Sequence, residues 1–190
     1  MWSPPTPHPA TTTAPRPARR SPSPGARDRP DTEAAARDGA ALAGLEAVSW
    51  SAESGFPSVI QRADRDNGTF FSEDNPPEAF LVAEQDGRVV GYIRLRPPTR
   101  LPENAHVIQV QGLAVHPDAR RRGIAALLLT EAERRLRERG TQKLSLRVLS
   151  TNTAAISLYE RLGFTREGVL RAEFIINGSY VDDVMMAKPL

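Results

Sequence analysis

The stretch Leu113-Ala114-Val115-His116-Pro117-Asp118-Ala119-Arg120-Arg121-Arg122-Gly123-Ile124-Ala125 decides how this chain is read. Before it, the run HVIQVQGLAV over residues 106–115 has the β-branched content of a strand and stops at His116-Pro117-Asp118, where His116 reads as a turn residue. After it, residues 124–139 place Ala125, Leu128, Leu129, Ala132 and Leu136 on one helical face. Glu131 with Arg135 and Glu133 with Arg137 form i,i+4 pairs outside, and Gly140 supplies a C-terminal cap. A strand therefore enters a helix through an arginine-rich turn. The first N–H groups of a helix lack helical partners, the helix dipole favours negative charge there, and glycine lets a phosphate approach the backbone. Neighbouring arginines add charge-assisted hydrogen bonds to such an anion. Taken alone, three arginines fit a solvated basic turn better. The turn lacks the Gly-Lys-Ser/Thr ending of a Walker loop and the third glycine of a dinucleotide fingerprint.

Working outward, residues 79–96 read as a hairpin, AFLVAEQ and RVVGYIRLR joined at Asp86-Gly87, a pair suited to the positive φ angles of a tight turn. Upstream, Ala41, Leu42, Leu45 and Val48 follow a helical spacing with Asp38 as the expected N-cap. A strand near residues 32–36 and a short helix over 56–65 are expected around it, and Asn75-Pro76-Pro77 marks a loop. Downstream, residues 143–148 alternate as a strand, residues 153–162 form a helix before Gly163, and Asn177-Gly178 joins two β-rich runs as a second hairpin. The order predicts an α/β chain of the α+β kind, a mixed and mostly antiparallel sheet with helices on both faces.

The block Asn152-Thr153-Ala154-Ala155-Ile156-Ser157-Leu158-Tyr159-Glu160-Arg161-Leu162-Gly163-Phe164 is the second motif. Read by itself it is a helix with Asn152 as N-cap and Tyr159 as a core aromatic. Together with the first motif it resembles the GNAT superfamily of N-acetyltransferases. The family signature after its fourth strand is Gln or Arg, two residues, Gly, one residue, then Gly or Ala, and here Arg120, Gly123 and Ala125 fill those places. Residues 113–117 match the usual lead-in, and the likeness covers about 113–164.

The resemblance implies the acyl-CoA N-acyltransferase fold, with two central parallel strands splayed around the cofactor and a bulge in the 106–115 strand. Acetyl-CoA is the implied co-substrate, with no metal. Backbone N–H groups of Leu113, Ala114 and Val115 would pair with pantetheine and polarise the acetyl carbonyl. Arg120, Arg121, Arg122, Gly123, Ile124 and Ala125 would take the phosphates, and Asn152 would lie by the pantetheine arm. Tyr159 would protonate the departing thiolate while a neutral primary amine of a small molecule, amino acid or protein N-terminus attacks directly. Many family members carry a glutamate on the strand that here reads Ile108-Gln109-Val110-Gln111, so a water chain with Glu103 or His106 is the expected proton route. Glu173, Asp182 and Asp183 of the last hairpin could attract a cationic amine, or serve solubility.

Composition bounds the rest. With no cysteine among 190 residues, disulfides, thiolate metal sites and cysteine nucleophiles are excluded, and a cytoplasmic location fits. The net charge of +2 is concentrated in residues 1–30, which hold five arginines, one aspartate and nine of the seventeen prolines. That segment is expected to be a disordered tail and residues 31–190 the acetyltransferase domain. The domain itself is not basic, so nucleic acid is not an expected partner. No apolar run approaches the roughly 20 residues of a membrane helix, so no membrane partner is expected either, and the assembly is read as a monomer or homodimer. A non-catalytic acyl-CoA-binding regulatory module is the alternative function, and a Pro-rich interaction protein a third.

Overall fold

The computed structural model describes residues 29–49 and 70–190. Strand β1 (Arg29–Glu33) is followed by a 3₁₀ turn and helix α1 (Gly39–Ser49). The hairpin β2 (Phe80–Gln85) and β3 (Arg88–Arg96) leads to β4 (Val107–Val115) and α2 (Ile124–Glu138). Then come β5 (Lys143–Leu149), α3 (Thr153–Arg161), β6 (Thr165–Ile176) and β7 (Ser179–Pro189). The strands form one sheet in the order β1-β2-β3-β4-β5-β7-β6, with β4 and β5 parallel and every other pair antiparallel.

Local turn chemistry sets the hairpins where the sequence places them. Asp86 and Gly87 have φ of 51° and 74°, and Asn177 and Gly178 have 50° and 78°, so both turns use two left-handed residues to match the twist of the strands. The first strand differs from expectation. It lies at Arg29–Glu33 rather than 32–36 and is recruited by pairing with β2, a tertiary contact that overrides the weak β propensity of the segment. It thus begins inside the expected tail, of which residues 1–28 lie outside the described residues, as does the expected helix at 56–65. Asp38 stands directly before α1, but its carboxylate turns back to accept from the Ala35 N–H at 2.7 Å instead of capping the helix that follows.

Alternation along the strands fills both faces. Leu81, Ala83 and Ile93 join Leu128, Leu129, Ala132 and Leu136 of α2 and Ile156 and Tyr159 of α3 in one core. Phe80, Val82 and Tyr92 join Leu42 and Leu45 of α1 in the other. In β4 the alternation changes phase. Ile108 and Val110 face α2, as does Leu113, while Ala114 faces α1. The extra residue is Gln111, because β3 pairs Arg94 with Gly112 but Leu95 with Val110, which is a β-bulge.

Gly91 shows how closely β3, β4 and α2 approach at the site end of the sheet. A Cβ there would lie 3.1 Å from the Ala114 carbonyl oxygen and 3.2 Å from Ile124 Cγ2. The carbonyl belongs to a paired strand and cannot give way cheaply. Gly91→Ala is therefore expected to destabilise the fold by about 1–3 kcal/mol, the usual scale for an overpacked core, read as a lowered midpoint of thermal unfolding. An unchanged midpoint would show that α2 can slide away from the sheet.

Candidate active site

Parallel pairing between β4 and β5 runs from Val107 with Lys143 to Val110 with Leu146 and stops at the bulge. Beyond it β4 continues along β3 to Val115, and β5 continues along β7 to Leu149. The sheet is therefore split at its centre, and the β4 backbone over residues 111–115 has no β5 partner. This opening is a cavity of about 920 Å³, within the range of small-molecule sites. A groove of about 290 Å³ on the α2 side, lined by Leu81, Leu95, Ile108 and Leu136, contains none of the motif residues.

Leu113, Ala114, Val115, Arg120, Ala125, Asn152 and Tyr159 all line the larger cavity. Each reaches it through local structure. At the start of α2, Gly123 has φ of 84° and Arg121 has 63°, so the chain turns sharply before the helix begins. A side chain at Gly123 would meet nothing within 4 Å, which leaves that backbone open to approach. The first helical bond is Leu127 N–H to the Gly123 carbonyl at 3.0 Å, so the N–H groups of Ile124, Ala125 and Ala126 have no helical acceptor. The first turn of α2 carries no acid to compete with an anion.

The arginines are divided differently from the sequence reading. Arg120 donates through Nε to the Val115 carbonyl at 3.1 Å and through Nη2 to the Ser49 carbonyl at 2.7 Å, so it ties the end of β4 to the end of α1. Its positive charge also sits at the negative end of the α1 dipole. Arg121 and Arg122 are exposed and do not line the cavity, and Arg122 reaches Gln85 at 3.4 Å. Gly123 and Ile124 do not line it either, because the Ile124 side chain packs into the core. These four flank the opening, and what they present to it is backbone and long-range charge.

On the other wall, Asn152 Oδ1 accepts from the Ala155 N–H at 3.2 Å and caps α3. Ala155, Ile156, Tyr159 and Leu162 form the expected inward stripe. The Tyr159 ring is 5.8 Å from that of Phe164. Burial alone raises the Tyr159 hydroxyl to about 12, since among the described residues it has no hydrogen-bond partner. It is thus a protonated donor facing a cavity.

The acids of the last hairpin do not stand free for a cation. Asp183, 2% exposed, is paired with Arg147 of β5, which also reaches Glu173 at 3.5 Å. Asp182 accepts from the Ala172 N–H at 2.8 Å and from Arg171 at 2.7 Å, and these two bonds, the backbone one first, hold its carboxyl below the usual range. The effect is to fix an irregularity in β6, where Ala172 has φ of 52° and the register shifts between Leu170 and Phe174. Phe174 and Asp183 then line the cavity.

Glu103 and His106 do not line the cavity, and both are exposed near the paired end of β4. The cavity instead contains Glu46 of α1, with Tyr92 Oη donating to Glu46 Oε1 at 2.6 Å, and Arg94, whose Nε is buried without a partner. Burial, then the nearby Arg96, lowers the Arg94 guanidinium below its ordinary value. Sequence reading missed these three because α1 was read for its apolar stripe and β3 for its alternation. Arginine on an inward strand position was the available signal.

Known proteins agree with this architecture. An acetyltransferase of Sodalis glossinidius is 41% identical over 91 residues, 48% of this chain and 60% of that protein. The match therefore spans less than two thirds of that relative's length. Among solved structures, ribosomal-protein-alanine N-acetyltransferase from Brucella melitensis is 32% identical with a TM-score of 0.55, over 58% of this chain and 68% of that one. A GNAT superfamily phosphinothricin acetyltransferase from Sinorhizobium meliloti, in complex with acetyl-CoA, is 25% identical with a TM-score of 0.55, over 58% and 60%. Among the described residues no helix is long and apolar enough to cross a membrane. The model of the acetyltransferase (GNAT) family matches residues 45–164, and with its bulged fourth strand, split sheet and glycine turn into α2 the chain belongs to that family.

Proposed function

We propose that the chain is an N-acetyltransferase that moves an acetyl group from acetyl-CoA to a primary amine of a small molecule, amino acid or protein N-terminus, and that it works in the cytoplasm. The observation that carries this reading is the unpartnered β4 edge over residues 113–115, which shares one cavity with the Tyr159 hydroxyl and the first turn of α2. The Sinorhizobium neighbour, solved with acetyl-CoA, supports the choice of donor. The name of the Brucella neighbour puts an alanine-headed peptide among the acceptors to try.

Acetyl-CoA supplies an acyl group already activated as a thioester. The chain's residues hold and polarise it. N–H groups of Leu113 and Val115, which alternate away from β3, bind the extended pantetheine arm as an added strand would be bound, and one of them polarises the acyl carbonyl. The Ala114 N–H between them points to Tyr92 of β3. The α2 N-terminus and the charge of Arg120, Arg121 and Arg122 attract the phosphates. Asn152 holds α3 in place, so that Tyr159 presents its proton to the departing sulfur. A regulatory module that only binds acyl-CoA is the second reading, favoured by Gln109 and Gln111 where a carboxylate would serve as base. Coenzyme A release with a panel of amines decides between them.

Gly123→Glu places a carboxylate where the helix dipole should meet phosphate. Because φ of 84° strains any side chain there, Gly123→Asn, which tolerates that conformation, is the control. Calorimetry with acetyl-CoA is expected to show at least about tenfold weaker binding for the glutamate and near wild-type binding for the asparagine. Equal affinity in all three would remove residues 120–125 from the site.

Tyr159→Phe keeps the buried ring and deletes only the donor. It is expected to lower kcat by about tenfold or more, with little change in thermal stability or in KM for acetyl-CoA, the pattern of a group used in the transition state. With its hydroxyl raised to about 12, Tyr159 stays protonated across the working range, so the wild type should show no loss of kcat from its ionisation below about pH 10. Equal kcat in Tyr159→Phe and wild type would return Tyr159 to a packing role.

A further inference from the structure

If the cavity transfers an acyl group to an amine, as proposed above, the acceptor arrives at neutral pH as an ammonium ion and must lose a proton before it can attack. No carboxylate stands on the cavity-lining part of β4, where Gln109 and Gln111 are neutral. Among the described residues only Glu46 and Asp183 bring carboxylates to the cavity. Asp183 is fully buried and paired with Arg147, so its charge is already met. Glu46 is half-buried, forms no ion pair among the described residues, and accepts one hydrogen bond, from Tyr92 to Oε1. Its second oxygen accepts no hydrogen bond among the described residues.

The position of Glu46 is built rather than accidental. Tyr92 is 1% exposed, and its ring lies against the strand just past the bulge, where a Cβ on Gly112 would be 3.2 Å from Tyr92 Cε2 and 3.4 Å from its hydroxyl. Glycine at 112 thus gives Tyr92 room to reach α1. Burial, then the adjacent Glu46 charge, raises the Tyr92 hydroxyl well above the usual phenol range, so it remains a donor and keeps the carboxylate aimed. Arg120 fixes the end of the same helix through the Ser49 carbonyl. Among the described residues, the charged or titratable groups that share the cavity wall with Glu46 are Tyr92 and Arg94 from β3 and Arg120 from the turn after β4. Arg147 and Asp183 form a closed pair on the opposite wall.

We propose that Glu46, held by Tyr92, binds the acceptor ammonium and takes its first proton. The freed nitrogen lone pair forms the C–N bond to the thioester carbonyl carbon, and Tyr159 gives its proton to sulfur as the C–S bond breaks. Of the two protons the nitrogen sheds, Glu46 passes the first to solvent, and the second returns through water to Tyr159, replacing the one delivered to sulfur. Glu46 is then a catalytic residue on the acceptor side, and Tyr92 and Gly112 are positioning residues behind it.

The test is coenzyme A release by the full chain with four acceptors: alanine, an alanine-headed hexapeptide, spermidine and kanamycin. Glu46→Gln preserves the acceptor for the Tyr92 hydrogen bond and removes the charge. With any acceptor the wild type uses, it is expected to lower kcat/KM for the amine about 10²-fold at pH 7 and to leave KM for acetyl-CoA within about twofold. The deficit should shrink as pH rises toward 10, where the amine arrives neutral. Glu46→Asp should recover part of the loss, and Tyr92→Phe should raise KM for the amine several-fold with acetyl-CoA binding unchanged. No release by the wild type with any acceptor overturns the acyl-transfer reading and this assignment with it. An active wild type matched by Glu46→Gln overturns the assignment alone, as does a variant that loses amine use and acetyl-CoA affinity in parallel.

Discussion

The structure depends on one extra residue in β4. Without Gln111, the strand would keep its alternation and its pairing with both neighbours, and the sheet would be continuous. With it, β4 stays with β3 and leaves β5. The N–H and C=O groups facing the gap then lack partners among the described residues, and such groups cost about 1–3 kcal/mol each if kept dry and unpaired. A slot of this kind must hold water or a ligand that offers backbone-like hydrogen bonds. An extended amide-bearing chain meets that requirement, as an added strand would.

Opening the middle of a sheet would destabilise it unless each half were secured from behind. β5 is secured by β7, whose pairing extends from Lys143 with Pro189 to Leu149 with Asp183, past the point where β4 has departed. The Arg147–Asp183 pair strengthens the same seam from the cavity side, with a buried carboxylate that would be costly if left alone. On the other half, Arg120 joins the ends of β4 and α1 through two carbonyl oxygens. Its position in the family signature and its bonding to α1 are two uses of one guanidinium: it adds positive field near the α2 N-terminus while fixing the helix that carries Glu46.

How much of this was legible in the sequence follows from how local each feature is. The Asp86-Gly87 and Asn177-Gly178 turns need only two residues with tolerance for positive φ, and both stand where they were read. The inward face of α2 needs only its own periodicity, and Leu128, Leu129, Ala132 and Leu136 are buried as expected. The β1 strand was misplaced by three residues because nothing within it favours a strand, and only the β2 edge decides its register. Arg121 and Arg122 stand exposed beside the cavity rather than in its lining, because whether an arginine faces a cavity depends on the left-handed turn at Arg121 and Gly123, which composition does not reveal. Asp183 looked like one exposed hairpin acid among three. Its burial comes from lying between β5 and β6 in a strand order that only the assembled sheet establishes.

The two sides of the site differ in this respect for a physical reason. An anion is met by a helix N-terminus, and everything that makes one, the turn, the glycine and the nearby cations, lies within a few consecutive residues, so it can be found as a motif. A proton acceptor needs only one carboxylate at the right distance, and any element able to reach the cavity can supply it. Here the carboxylate and the hydroxyl that aims it are 46 residues apart, on a helix and a strand that meet only through the second core. Glutamine at 109 and 111 on β4 therefore does not entail the absence of a base. It moves the requirement to whichever neighbouring wall brings a carboxylate to the cavity outside an ion pair, and among the described residues that wall is α1.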